Sequence, residues 1–198
     1  MLLRNALTTS ILIVSVTGLA FADTGGTPPS PEVAKARGAI KTLADNLRGE
    51  LMGAMQSGGA TAAVEKCKAV APGIARDVSS TADGFIVGRT ALKVRNPQNK
   101  PDAHERRVLE EFVQKIKGGA DPAALDHTAE VEQNGKKLVR YIKAIPMAEA
   151  PCSACHGPAD KLDPAAAAVV KKLYPADEAT GFAPGELRGA FSVTIVKK

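Results

Sequence analysis

Two cysteines and a histidine lie close together late in the chain and could together hold a cofactor. Cys152, Cys155 and His156 form the pattern C-x-x-C-H. In this pattern two thiols one helical turn apart form thioethers with the haem vinyl groups, and the histidine ligates the iron. A redox-active cysteine pair and half of a zinc site are the alternatives. However, the chain has no second cysteine–histidine pair at zinc-finger spacing, and residues 147–151 form a poor strand for a thioredoxin-type motif. The motif therefore predicts one covalently attached haem c.

The first 22 residues have the pattern of an export signal. Arg4 supplies a positive charge, residues 6–19 are uncharged and largely apolar, and residues 20–22 (Ala-Phe-Ala) match a small-x-small cleavage site. A membrane anchor is the alternative, but hydroxyl side chains interrupt the apolar stretch, which is shorter than the roughly 20 residues that a span needs. We therefore expect a signal peptide over residues 1–22, cleavage near Ala22, a periplasmic location and no stable membrane span after processing.

The charge balance of the chain argues against a nucleic-acid partner. The sequence holds 26 Lys and Arg residues against 21 Asp and Glu, which is a formal net charge of +5. The basic residues are scattered along predicted helices and form no aromatic-interleaved patch, a pattern typical of a solvated surface. The sequence also shows no catalytic triad, phosphate-binding loop or paired-carboxylate site, so nothing in it predicts an enzyme.

The remaining pattern predicts a single α+β domain over residues 32–198, preceded by a linker over residues 23–31 that is rich in Gly, Pro, Ser and Thr. Apolar residues at three- and four-residue steps predict helices, and alternating or short apolar runs between turn signals predict strands. The predicted helices span residues 31–57, 60–76, 103–117 and 164–173, and the predicted strands span residues 84–88, 137–147 and 189–197, with a polar loop over residues 89–102. We find no internal repeat.

Cys67 is the one cysteine outside the C-x-x-C-H motif, and it has no partner left for a disulfide. On a helix it would share an inward-facing apolar stripe with Val64, Val70 and Ile74. Two interpretations remain open on this pattern. Cys67 is either a buried structural thiol or a sixth ligand to the iron, since a coordinating thiol loses its proton to the metal.

Five other side chains are alternative sixth ligands. His104 lies one turn into a predicted helix and His127 follows a polar segment, and a solvated position is the more typical interpretation of both. Met147 is close in sequence to the haem motif, whereas a distal methionine usually comes from a separate element. Met52 and Met55 lie on the predicted core face of the first helix and are interpreted as packing residues.

Six short stretches occur in a specific order along the chain. They are CKAVAP at residues 67–72, GRT at 88–90, RNPQN at 95–99, CHG at 155–157, YPAD at 174–177 and GELRGA at 185–190. Together they resemble a family of periplasmic c-type haem proteins with a PAS-like fold, and the resemblance covers residues 34–196. Members of this family occur as single domains and as the sensory part of histidine kinases and chemoreceptors.

The resemblance implies an antiparallel, PAS-like sheet packed by the N-terminal helices, with haem c bound between sheet and helices. It also implies that the iron is ligated by His156 of the haem motif and by Cys67, in the helix before the Ala-Pro step. The chain departs from the family at His104, where the family has an aromatic residue, usually Trp.

Arg89, Arg95 and Arg188 are the candidate partners of the haem propionates. A guanidinium group pairs readily with carboxylates in a forked geometry. An ordinary surface salt bridge is the alternative interpretation for each of the three.

Two functions agree with these features. A six-coordinate iron with a displaceable thiolate has two ligation states, which suits a redox or ligand sensor that signals to a separate partner protein. A low-potential one-electron carrier is the alternative, since thiolate donation stabilises ferric iron. A peroxidase-like enzyme would need an open iron site, which a coordinated Cys67 would block. Covalent attachment also predicts the haem-maturation machinery as a partner.

Overall fold

The computed structural model describes residues 29–81, 85–133 and 135–197. The predicted signal peptide and most of the predicted linker, which ends at residue 31, therefore lie outside the described residues. None of the helices in the described ranges combines the length and the hydropathy that crossing a bilayer requires.

The first element is a long helix, α1 (Pro31–Thr81), which is bent in its middle. Gly58 and Gly59 leave the helical conformation there, and Gly59 has a φ of 67°, in the left-handed region that glycine tolerates best. The break divides α1 into a first arm before Gly58 and a second arm after Gly59. The predicted break is confirmed, but the second arm runs to Thr81 instead of ending at Arg76.

Four strands form one antiparallel sheet in the order β1-β4-β3-β2. The strands are β1 (Phe85–Thr90), β2 (Asp126–Gln133), β3 (Lys136–Pro146) and β4 (Leu187–Val196). The three predicted strands correspond to β1, β3 and β4, although β1 extends into the predicted loop. The predicted α+β fold, an antiparallel sheet with N-terminal helices, is confirmed and is consistent with a PAS-like fold.

The sequence pattern does not predict β2, because its residues, DHTAEVEQ, are mostly polar. β2 is an edge strand that pairs with β3 on one side, so it needs little apolar content to be stable in the sheet. One sequence signal points to it: the dipeptide Asn134-Gly135 is typical of a tight hairpin. Gly135 lies between β2 and β3 and has a φ of 69°.

The sheet is covered on both faces. One face packs against the first arm of α1, in a cluster of Val33, Ala36, Ile40, Leu43, Val87, Val139, Tyr141, Val193 and Ile195. The other face packs against α2 (Ala103–Lys117), in a cluster of Val108, Leu109, Phe112, Ile142, Ala144 and Ala190. Because consecutive side chains of a strand point to opposite faces, β3 contributes to both clusters and is buried on both sides.

The haem motif lies on a single helical turn, α3 (Ser153–His156), which is followed by α4 (Pro164–Leu173). Asp163 caps α4 by accepting a hydrogen bond of 2.8 Å from the amide of Ala166. The cluster between α4 and the second arm of α1 consists of Val64, Ala166, Val170 and, partly buried, Cys155. This packing brings the motif beside the second arm of α1, which carries Cys67.

Gly189 lies near the start of β4, where the chain at the end of β1 passes close to it. A β-carbon at this position would be 2.7 Å from the carbonyl oxygen of Thr90 and 3.2 Å from the Cβ of Ala91. We expect Gly189→Ala to lower the free energy of unfolding by about 2 kcal/mol, as measured by urea denaturation. Gly88→Ala is the matched control, because a β-carbon at Gly88 would have no such neighbour within 4 Å. Equal effects of the two substitutions would contradict the close approach.

Candidate haem site

α3 arranges the side chains of the motif around one helical turn. The amides of Cys155 and His156 lie 3.2 and 2.9 Å from the carbonyl oxygen of Cys152. Cys152 and Cys155 are free thiols and are partly buried, as is Cys67. The two thiols of the motif are therefore available at the spacing that two thioethers need, and the imidazole follows directly.

The imidazole of His156 is oriented by a backbone carbonyl. Its Nδ1 atom lies 2.7 Å from the carbonyl oxygen of Ala179 and 3.3 Å from Nε of Arg188. Nδ1 cannot donate to the carbonyl and accept from the guanidinium at the same time, and the contact with the carbonyl is the shorter one. Nδ1 therefore carries the proton, which leaves the lone pair of Nε2 for a metal.

The same imidazole is held in its neutral form. Burial, and then the positive charges of Arg188 and Arg95, lower the pKa of His156 well below its usual value. The neutral imidazole is the form that ligates a metal. Within the described parts of the chain Nε2 makes no hydrogen bond that would compete with this role.

Arg95 ties together the two segments that hold His156. Its guanidinium group forms a forked ion pair with Asp177, with nitrogen–oxygen distances of 3.0 and 3.1 Å. It also donates to the carbonyl of Cys155 at 2.6 Å and lies 3.4 Å from that of Ala179. The Arg95 and Asp177 side chains are only 12% and 9% exposed. Because Arg95 is paired with Asp177, it positions the backbone segments around His156. Its contact with a haem propionate stays a prediction.

Arg95→Met should be strongly destabilising. The substitution leaves the carboxylate of Asp177 buried without its partner, so we expect the free energy of unfolding to fall by about 3 kcal/mol, measured by urea denaturation. Lys41→Met is the matched control, because it breaks an exposed ion pair with Asp45 and should cost less than about 1 kcal/mol. If both variants lose the same small amount, Arg95 does not hold the site together.

Cys67 faces the same arginines as His156. Burial raises the pKa of its thiol, and the charges of Arg89 and Arg95 offset this in part. The same two arginines help to lower the pKa of His156, and Cys67 in turn helps to raise the pKa of the Cys155 thiol. Cys67, Cys155 and His156 therefore share one electrostatic environment between the second arm of α1 and α3.

Arg89 and Arg188 are the two cations of this environment that form no ion pair with a carboxylate among the described residues. Arg89 belongs to β1 and not to the predicted loop. Its residue is exposed to solvent, and partial burial of its guanidinium by surrounding protein atoms lowers the pKa of that group. Burial and the neighbouring arginines lower the pKa of Arg188 to about 10, and its guanidinium lies 5.4 Å from the ring centre of Phe182. Both remain able to receive an anionic group.

His104 and His127 lie on the face of the sheet opposite Arg89. His127 is paired with Ile142, whose side chain belongs to the cluster under α2. Arg89 is in phase along β1 with Val87, whose side chain belongs to the cluster under α1. The two histidines are therefore not positioned beside the haem motif.

The methionines considered as sixth ligands differ in their burial and in their distance from the haem motif. Met147 is buried in a cluster with Ala179 and Phe182, against which Cys152 packs. Met52 is 37% exposed, so its predicted place in the core is wrong, and Met55 is partly buried. Of these three, Met147 lies nearest to the haem motif.

One cavity lies along the second arm of α1 and another lies at the haem motif. A wide cleft of about 690 Å³ lies between the two arms, is lined by residues including Glu50, Ser57 and Lys66, and contains no residue of the haem motif. A smaller pocket of about 180 Å³ lies at the motif and is lined by residues including Cys155 and Tyr174. Charge and hydrogen-bond geometry, rather than cavity size, therefore mark the candidate site.

Comparison with known proteins places this arrangement in a family. The model of the Tll0287-like family matches residues 29–196, which include α1, the sheet and the C-x-x-C-H motif. The chain belongs to the Tll0287-like family. It is similar to a solved structure described as the crystal structure of the cyanobacterial heme-protein Tll0287, with a TM-score of 0.57 and 28% sequence identity over 86% of this chain and 98% of that chain. No curated protein matches the chain.

The site of this Tll0287-like family member uses two residues to which the sequence pattern assigns no role. Asp177 belongs to the stretch YPAD, which contributed to the resemblance, and it is the partner of Arg95. Ala179 acts through its backbone carbonyl, which no side-chain pattern can reveal. The donor set fits a haem iron, because a neutral imidazole with a free Nε2 and a nearby thiol are both iron ligands.

Proposed function

We propose that this protein binds one haem c, attached covalently through Cys152 and Cys155, with His156 and Cys67 as the axial ligands of the iron. The observation that carries the proposal is the contact of 2.7 Å between Nδ1 of His156 and the carbonyl of Ala179, which leaves Nε2 for a metal. Haem-binding His residues are commonly oriented in this way by a second partner. Two free thiols precede this imidazole at the spacing of a c-type site.

Family membership supports the haem-binding part of this proposal. The solved structure that the chain resembles is titled a heme-protein, and nearly all of that chain, 98%, is covered by the similarity. The covalent attachment, the axial ligands and the single haem are inferred from the residues of this chain.

A bound haem would supply a one-electron redox centre at its iron. The chain would hold this centre and tune it. His156 is kept neutral and oriented, and Cys67 would donate negative charge as a thiolate, which favours ferric iron. Arg89 and Arg188, which form no ion pair with a carboxylate among the described residues, would receive the propionates.

We place redox or ligand sensing in the periplasm first among the possible roles. Burial raises the pKa of the Cys67 thiol, so a thiolate that leaves the iron takes up a proton and does not readily return. Protonation therefore separates two ligation states, which a signalling partner protein can distinguish. The predicted export signal fits this location.

A periplasmic low-potential electron carrier is the second candidate. The observation that favours it is that Cys152 and Cys155 are only partly buried, which would leave an edge of the attached haem near the surface for exchange with a redox partner.

The covalent haem is tested by expressing the full chain with the haem-maturation machinery and purifying it from the periplasm. We expect an intact mass equal to the chain without residues 1–22 plus one haem. Haem that is extractable by acid-acetone, or a polypeptide without haem, would overturn the proposal.

Sensing and electron transfer are distinguished on the same protein. Exposure of the ferrous form to carbon monoxide should replace Cys67 and change the absorption spectrum if ligation is switchable. An unchanged ferrous spectrum, with fully reversible redox cycling, would favour the electron carrier instead.

A further inference from the structure

Two histidines face each other on the side of the sheet away from the haem site. His104 lies on the first turn of α2, and His127 lies near the start of the edge strand β2. Their ring centres are 5.5 Å apart and their planes are inclined by 54°. The pair therefore joins a helix to the strand that forms the edge of the sheet.

Each ring presents a buried nitrogen that has no partner. The Nε2 atoms of His104 and His127 are buried and make no hydrogen bond within the described chain. Leaving a buried polar atom unsatisfied costs about 1–3 kcal/mol, and native structures usually satisfy such atoms with ordered water or an ion. Two such atoms on neighbouring rings indicate a ligand that both can bind.

The spacing of the rings suits one transition-metal ion. Two imidazoles that bind one tetrahedral ion at about 2.0–2.1 Å have ring centres roughly 5 Å apart, close to the 5.5 Å separation in this structure. Imidazole nitrogen is a preferred ligand of Zn²⁺ and Cu²⁺.

The carboxylates beside His104 at the start of α2 are already occupied. At the start of α2, the carboxylate of Asp102 accepts a hydrogen bond of 2.8 Å from the amide of Glu105. The carboxylate of Glu105 accepts one of 3.0 Å from the amide of Asp102. Both also accept hydrogen bonds from Arg140, at 2.8 and 3.2 Å. They therefore offset the charge of Arg140 and are not free to bind a metal. Among the described residues no group of three or more His, Cys, Asp or Glu side chains could hold a metal ion, so water must complete the coordination.

The surroundings of His104 disfavour the charged form of its imidazole. Burial, then Arg140, His127 and Arg107, lower the pKa of His104, while Asp102 opposes them. A neutral ring is the ligating form. Arg107 lies 3.0 Å from Nδ1 of His104, and because metal binding at Nε2 places the ring proton on Nδ1, the exposed Arg107 must move away.

We propose that His104 and His127 form a two-histidine site for a divalent transition-metal ion of the Zn²⁺ and Cu²⁺ class, with water completing the coordination. Such an ion would fasten α2 to the edge strand β2. The proposal does not rest on the haem function, since the pair lies on the other face of the sheet.

The test is a calorimetric titration of the chelator-treated, haem-loaded protein with Zn²⁺, prepared without a polyhistidine tag. We expect saturation at one ion per chain and an unchanged haem spectrum. His104→Phe and His127→Phe should each weaken binding at least tenfold, whereas Arg107→Ala should tighten it because Nδ1 is released. Thr128→Ala, at an exposed neighbour on β2, is the matched control and should bind like the unsubstituted protein.

A second measurement does not depend on the folding of any variant. The electron paramagnetic resonance spectrum of Cu²⁺ bound to the unsubstituted protein, with the haem kept ferric and the signal of the copper-free protein subtracted, should show two coordinating nitrogens. The absence of saturable binding of either ion, coordination by a single nitrogen, or binding that both phenylalanine variants retain would overturn the proposal.

Discussion

Cys67→Ser should open the sixth coordination position of the iron. The ferric protein should lose the charge-transfer absorption of a thiolate ligand and bind added external ligands. Because an anionic sulfur stabilises ferric iron, its removal should raise the reduction potential, by on the order of 100 mV given that axial ligands tune haem potentials over about 0.8 V. Optical spectra of the ferric and ferrous forms and a redox titration measure both effects.

The haem itself should stay attached in Cys67→Ser, since its thioethers are to other residues. Ala69→Ser is the matched control, because it introduces the same side chain at an exposed position of the second arm of α1. An unchanged ferric spectrum and potential in Cys67→Ser would mean that another residue is the sixth ligand. The next candidate would then be Met147, which lies beside Cys152, and not His127, which lies on the other face of the sheet.

Replacing both Cys152 and Cys155 by serine should abolish covalent haem attachment. Each thioether needs a cysteine sulfur, so the double variant should have the intact mass of the bare polypeptide after acid-acetone extraction, a loss of one whole haem. Each single variant should keep the haem through its remaining thioether. Intact-mass spectrometry before and after extraction separates the three cases.

A control variant makes this result specific. Cys67→Ser, which also removes a cysteine, should keep the full mass of the haem-bearing protein. Retention of one haem after extraction of the double variant would show that the attachment lies elsewhere in the chain, and the c-type assignment would then be wrong.

The sequence by itself determined the features that depend on neighbouring residues. The C-x-x-C-H motif is contiguous, so its chemistry follows from spacing along one helical turn. The break at Gly58 and Gly59, the two central strands β3 and β4 and the inward face of Cys67 follow from local periodicity and from the conformational freedom of glycine.

Only the tertiary structure decided which distant residues meet. It pairs Arg95 with Asp177, brings the carbonyl of Ala179 to His156, and gives Arg89 no carboxylate partner within the part of the chain that the structure describes. It also adds the polar edge strand β2, which carries His127 to His104. These features escape sequence patterns for two physical reasons. Every residue has the same backbone carbonyl, so nothing in the side chain marks the one that will orient a ligand. Residues far apart in the chain are brought into contact by the packing of the whole domain, and local sequence propensities do not predict such contacts.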